Sequence, residues 1–173
     1  MSTLAVNTIQ AETGTTVTVA SGHALDASNG LTTPAGHIIQ SVYSPMTFGR
    51  VTVNNGSSYV ATGHTISITP KRADSKLEIF VSVTTNSGAN NYRMQLYETT
   101  STPTSILGTD IYTGDHSGWR TVNFVQQIDS TGTSQRTFET YGKSTNAIYG
   151  IGTTTRTAPE HNGAVIVIRE IAQ

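Results

Sequence analysis

From Gln40 onward the chain alternates apolar and polar positions with a period of two. Ile66, Ile68 and Pro70 alternate with Thr65, Ser67 and Thr69. Leu77, Ile79, Val81 and Val83 alternate with Glu78, Phe80 and Ser82, and Tyr92, Met94, Leu96 and Glu98 with Arg93, Gln95 and Tyr97. A two-residue period marks a half-buried strand. Further strands are predicted over 119–128 and 135–141. The run Ala164–Ile171 is nearly continuous apolar, which predicts a central strand buried on both faces. Asn54-Asn55-Gly56, Asn86-Ser87-Gly88, Asp115-His116-Ser117-Gly118 and Asp129-Ser130-Thr131-Gly132 carry turn chemistry. No stretch combines a 3.6-residue period with helix caps. About eight regularly spaced strands predict an all-β domain over residues 41–173, an antiparallel jelly-roll-like β-sandwich.

The first 40 residues follow a different pattern. Leu4–Ile9, Thr15–Val19 and Ala24-Leu25 are short β-prone pieces separated by Thr13-Gly14, Ser21-Gly22 and Ser28-Asn29-Gly30. The large apolar side chains are Leu4, Val6, Ile9, Val17, Val19, Leu25 and Leu31, too few to offset the entropy of ordering this segment alone. Its composition is also unlike ordinary disorder, which is charge-rich and poor in β-branched residues. The expectation is an extended, Thr/Gly-rich β stalk that buries these positions between chains. Leu4, Val6, Ile9, Val17, Val19 and Leu25 are therefore the candidate docking and oligomerisation residues. Fully extended, the segment reaches on the order of 130 Å.

Charge sharpens this division. Only 12% of the 173 residues are charged and the net charge is −1. No Lys or Arg precedes Arg50, and the only acids before it are Glu12 and Asp26. The near-neutral balance argues against nucleic-acid binding, which needs a basic surface. There is no cysteine, hence no disulfide framework and no thiolate chemistry. No apolar stretch reaches the length of a membrane span, and Met1–Ala20 does not read as a signal peptide. The abundant threonine favours strands, because a β-branched side chain fits a pleated surface.

Candidate chemistry is sparse. Gly22-His23-Ala24-Leu25 recurs as Gly36-His37-Ile38-Ile39 and as Gly63-His64-Thr65-Ile66. The three copies form a short repeat or are simply Gly turns opening strands. In a trimer His23, His37 or His64 could each form a three-His ring able to bind metal, and the alternative is an exposed or turn-capping imidazole. Asp110, Asp115 and His116 share one loop with Trp119, and together they are the candidate receptor contacts. The carboxylates suit a polar ligand, and the indole suits stacking on a sugar ring. Trp119 is equally suited to a core. The Gly- and Thr-rich loop 150–159 is a second candidate contact. No G-x-S-x-G elbow occurs, and Gly150-Ile151-Gly152 runs into Thr153-Thr154-Thr155 rather than a helix. Glu78, Glu98 and Glu139 lie on alternating strands, where an outward solvated face is the default. No catalytic, metal or cofactor residue is assigned, and the chain is read as a non-enzyme.

The opening Ser2-Thr3-Leu4-Ala5-Val6-Asn7-Thr8-Ile9-Gln10 resembles the start of small virion structural and tail-fibre-like proteins of tailed phages, notably marine and cyanobacterial ones. Thr15–His23 is similar to their Thr/Gly-rich connector. Ile66–Pro70, Ser75–Val81, Arg93–Tyr97, Trp119 and Val165–Ile171 resemble their β-sandwich domain. The likeness extends over nearly the whole chain. It implies a virion-surface component, a homotrimeric short fibre, spike or decoration protein. Residues 1–40 would attach it to other capsid or tail proteins, and residues 41–173 would form the exposed head. It also admits a receptor-binding module that recognises a host-surface glycan or protein. It brings no catalytic residue and no cofactor, and it places the protein on the virion, assembled in the bacterial cytoplasm.

Overall fold

The computed structural model describes residues 34–44, 55–88, 93–106, 111–112, 117–144 and 164–173. All of them belong to the second of two units, Thr33–Gln173. Among the described residues there is no helix, and nine strands are present. These are β1 (Ile38–Ser44), β2 (Asn55–Ile68), β3 (Lys76–Gly88), β4 (Arg93–Glu98), β5 (Thr104–Ser105), β6 (Ile111–Tyr112), β7 (Ser117–Asp129), β8 (Arg136–Ser144) and β9 (Val165–Ile171).

The strands form two antiparallel sheets. The four-stranded sheet runs β1-β9-β3-β7, and the five-stranded sheet runs β2-β8-β4-β5, with β6 also on β4. The pairing is nested. The first strand pairs with the last, β2 with β8, β3 with β7, and β4 with both β5 and β6. Two further ladders, β3–β9 and β4–β8, join the turns of this ribbon side by side.

One core lies between the sheets, as the two-residue period requires. Leu77, Ile79, Val81 and Val83 of β3 and Ile166 and Ile168 of β9 come from one side. Ile66 and Ile68 of β2, Met94 and Leu96 of β4, and Phe138 of β8 come from the other. Val122, Phe124 and Ile128 of β7 pack against this cluster. The alternation predicted over 65–70 and 77–83 is present residue by residue, and in the third strand it runs from Arg93 to Tyr97, with Glu98 half-buried like its neighbour. The C-terminal strand is central, between β1 and β3, but it is not buried on both faces: Ile166, Ile168 and Glu170 point inward, while Val165, Val167 and Ile171 are only half-buried. Nothing in the second sheet covers that outer side, because the second sheet lies on the inner one.

Glu170 is fully buried in the inward phase of β9. Its carboxylate accepts hydrogen bonds from the backbone N–H of Lys71 (2.9 Å) and Arg72 (2.9 Å), the Ser75 hydroxyl (2.7 Å) and the Gln40 amide (2.6 Å). Lys71, Arg72 and Ser75 lie in the corner where the chain passes from β2 in one sheet to β3 in the other. The β7–β8 corner is tied to the same place: Ser130 N–H donates to Ser75 O at 2.9 Å and Ser130 Oγ to Arg72 O at 2.8 Å. Arg136 donates to Asp129 O and Ser130 O and forms a two-pronged pair with Glu98, at 2.8 and 2.7 Å. That pair holds the Glu98 carboxyl below its ordinary pKa.

The head therefore has a polarity. Ile38, Ile171, Lys76 and Asp129 sit side by side at the tied end. Here Gly36 N–H donates to Ala172 O and Ala172 N–H to His37 O, so the chain enters the first strand and leaves the last one at this end. Ser44, Asn55, Gly88, Arg93, Ser117, Ser144 and Val165 are the strand ends at the other. Strand β7, at ~3.4 Å per residue, separates the two ends by about 40 Å.

Burial alone would raise the Glu170 pKa. The hydrogen bonds from Lys71, Ser75, Gln40 and Arg72 outweigh it and hold the carboxyl below its ordinary value of 4.5. A depressed pKa contributes stability that is fully present above the unfolded value and lost as pH falls through the folded one. Glu170→Gln turns an amide NH2 toward these donors, and it should lower unfolding free energy at neutral pH by about 2–3 kcal/mol. Urea denaturation across pH should show the difference between wild type and variant shrinking below pH 4.5. A constant difference would mean that the carboxylate charge is not what holds the corner.

Candidate functional site

Strand β2 carries a local irregularity. Ala61 pairs with Tyr141 and Thr65 with Glu139, so Thr62, Gly63 and His64 together face Thr140. Gly63 has φ +76°, in the left-handed region that suits glycine. Its N–H donates to Glu139 Oε1 at 2.8 Å, and the Thr62 hydroxyl bonds to Thr140 O at 2.8 Å. His64 stays in the inward phase across the bulge and is 3% exposed. His64 Nε2 lies 3.2 Å from Ser44 Oγ, and its Nδ1 has no hydrogen-bond partner among the described residues. Burial pushes the imidazole pKa down, toward the neutral form. The reading of His64 as an exposed or turn-capping side chain is thus corrected: the imidazole lies inside the sandwich, in mid-strand. His37 is exposed, and His23 lies outside the described residues. Among the described residues no group of three or more His, Asp or Glu side chains converges to hold a metal.

The outer face of the five-stranded sheet carries three tyrosines. Tyr97 and Tyr141 stack with ring centroids 4.1 Å apart, and Tyr59 lies 6.3 Å from Tyr97. Lys143 Nζ sits over the Tyr59 ring at 4.6 Å. Burial first, then the charges of Glu139 and Tyr97, raise the Tyr141 pKa. The rings bind each other across β2, β4 and β8, and Glu139 is half-buried beside them.

The outer face of the four-stranded sheet differs. Tyr43 is 72% and Val125 57% exposed. The registers put Tyr43 opposite Val167, Val167 opposite Phe80, and Phe80 opposite Val125, an apolar row across the full width of the sheet. Glu78, on the same face, accepts from Arg169 Nη1 at 3.2 Å. Sequence reasoning did not mark this row, although a signal existed. Phe80 is an apolar residue in the polar phase of its strand, and Val167 occupies the outward phase of an apolar run.

The predicted docking residues Leu4, Val6, Ile9, Val17, Val19 and Leu25 lie outside the described residues, as do Asp110, Asp115, His116 and the loop 150–159. Trp119 is in β7 opposite Asn86, with only its backbone described. The strands flanking 113–116 and 145–163 end together at the end of the sandwich away from where the chain enters.

His64 gives this site a pH dependence of known sign. Its folded pKa lies below the ordinary 6.5, so its contribution is full above that value and declines as pH falls through the folded pKa. His64→Gln, neutral throughout, should flatten the loss of stability that begins below pH 6.5 and leave the carboxylate-dependent loss at lower pH. Urea midpoints measured over this range check it, and an unchanged slope would show that the buried imidazole is not the titrating group. No protein-family model matches the chain, and no curated protein matches it in sequence.

Proposed function

We propose that this chain is a virion structural protein of a tailed phage, a short fibre, spike or decoration component. Its N-terminal segment attaches it to other capsid or tail proteins and gathers it into a homotrimer, and its head is displayed on the particle surface. The head is a jelly roll. Counting β5 and β6 as one place, the two sheets run 1-8-3-6 and 2-7-4-5, the order of an eight-stranded ribbon rolled into two sheets. That architecture serves capsid and lectin domains alike, so the fold alone does not select a role.

The observation that carries the reading is the polarity of the head. The chain enters at the end where Glu170, Arg136 and Ser130 tie the corners together, and the strands flanking 113–116 and 145–163 end at the other. In this reading the tied end is the base that is held and the opposite strand ends are the displayed side. The proposed role is non-catalytic and needs no cofactor.

Light scattering of the purified full-length chain tests the trimer. The expected mass is a multiple of three times 18.4 kDa. Leu4→Asp combined with Val6→Asp should remove the factor of three and abolish incorporation into particles while leaving the strand signal in circular dichroism. A mass that contains no factor of three, or incorporation unaffected by these substitutions, overturns the reading.

A second reading is a host-surface binding module, supported by the tyrosines on the five-stranded sheet and by Tyr112 and Ser117, the strand ends that flank 113–116, at the far end. Trp119→Ala should then reduce adsorption to host cells at least tenfold without changing thermal stability. Undiminished adsorption excludes this loop as the contact.

A further inference from the structure

The outer face of the four-stranded sheet is arranged in rows that run straight across its strands. The apolar row is Tyr43, Val167, Phe80 and Val125. Beside it, toward the tied end, lie Ser41, Arg169, Glu78 and Gln127. On its other side lie Val165, Ser82 and Asn123. Isolated exposed apolar residues are ordinary on a protein surface, but a contiguous row marks a contact.

We propose that this face binds a second copy of the chain, about a two-fold axis parallel to the strands and midway between β9 and β3. That rotation lays β9 of one copy over β3 of the other. Val167 then meets Phe80, and Tyr43 meets Val125, so each large ring faces a small side chain. Arg169 of one copy meets Glu78 of the other, and the symmetry makes every contact occur twice. The charges select this axis. An axis along the row would set Arg169 and Glu78 against Val165 and Ser82, taking both out of water with no opposite charge to meet.

The face measures about 19 Å across and about 20 Å along the strands, from ~4.8 Å between strands and ~6.8 Å between rows. A flat area on the order of 400 Å² per copy is at the low end for a specific interface, so the pair weakens on dilution. The contact goes beyond the trimer and does not rest on it. Pairing doubles whatever number of chains the N-terminal segment sets, six where three chains are gathered and two where none are.

The test uses the full-length chain, by light scattering from low to high micromolar concentration, with circular dichroism and thermal unfolding as controls for the head. Tyr43 and Val125 are both mostly exposed, so charged side chains are tolerated there in the folded head. Tyr43→Lys alone and Val125→Asp alone should each halve the high-concentration mass. The double variant should restore it, because the new ammonium and carboxylate meet only between copies. Within one head they stand on opposite edges of the sheet, about 14 Å apart. A mass unchanged by both single substitutions overturns the proposal, and so does a double variant that stays at half mass. Loss of the factor of three, with this factor of two intact, would strike the trimer and not the pair.

Discussion

The carboxylate of Glu170, on the last strand, lies where the first strand and the corner between the two sheets converge on it, and it accepts hydrogen bonds from both. A nested ribbon is most costly to close at its ends, because the strands joined there are far apart in sequence. Here Gln40 and Glu170 are 130 residues apart. An ionised group in that position carries a large desolvation penalty, offset only when its lone pairs are filled by donors in good geometry. Two backbone N–H groups, a hydroxyl and an amide do so. The same donors fix the corner from which β3 starts, and hence the register of the four-stranded sheet. Ser130 and Arg136 carry the constraint across to the neighbouring corner and to β4.

This constraint explains why the two ends of the head differ. The tied end is knit by hydrogen bonds between corners and by the Glu98–Arg136 pair. It is also where the backbone enters the first strand and leaves the last. In the role proposed above, a tied end opposite the other strand ends would separate attachment from contact, so the connections between those ends could vary without disturbing the core. The two outer faces divide in a similar way. On one sheet the tyrosine rings already satisfy each other, while on the other Tyr43 and Val125 present apolar surface to solvent.

The fold was legible wherever the two-residue period was clean. Leu77–Val83 and Met94–Leu96 read directly as inward positions because their outward neighbours are polar. The period misleads where both phases are apolar. In Val165–Ile168 it cannot distinguish a strand covered on both sides from one whose outer side is available to a partner. It also cannot show that Gly63 opens a bulge, since His64 falls in the inward phase with or without one. The role of Glu170 was readable only in part. An acid in line with Ile166 and Ile168 signals a buried charge, but its donors come from segments about 100 residues or more away, beyond any local pattern. The candidate contacts Asp110, Asp115 and His116 were chosen by residue type and nearness in sequence, and neither fixes geometry.

The low charge of the chain acquires a meaning from these placements. With 12% of its residues charged the chain has few groups to pair, and among the described residues the exposed Arg72–Asp74 and Lys76–Asp129 pairs contribute little. Against that neutral background, a row of Tyr43, Val167, Phe80 and Val125 is the principal apolar feature of the four-stranded sheet's outer face. The Arg169–Glu78 pair beside it is oriented so that its reverse is its own complement. A neutral surface gives no long-range steering, so two copies would find each other by shape and by this one charge pair. That suits chains already held near one another on a shared assembly, where a contact too small to persist between free molecules gains from high local concentration. The small area of the face and the proposed crowding of copies on a particle therefore support the same arrangement.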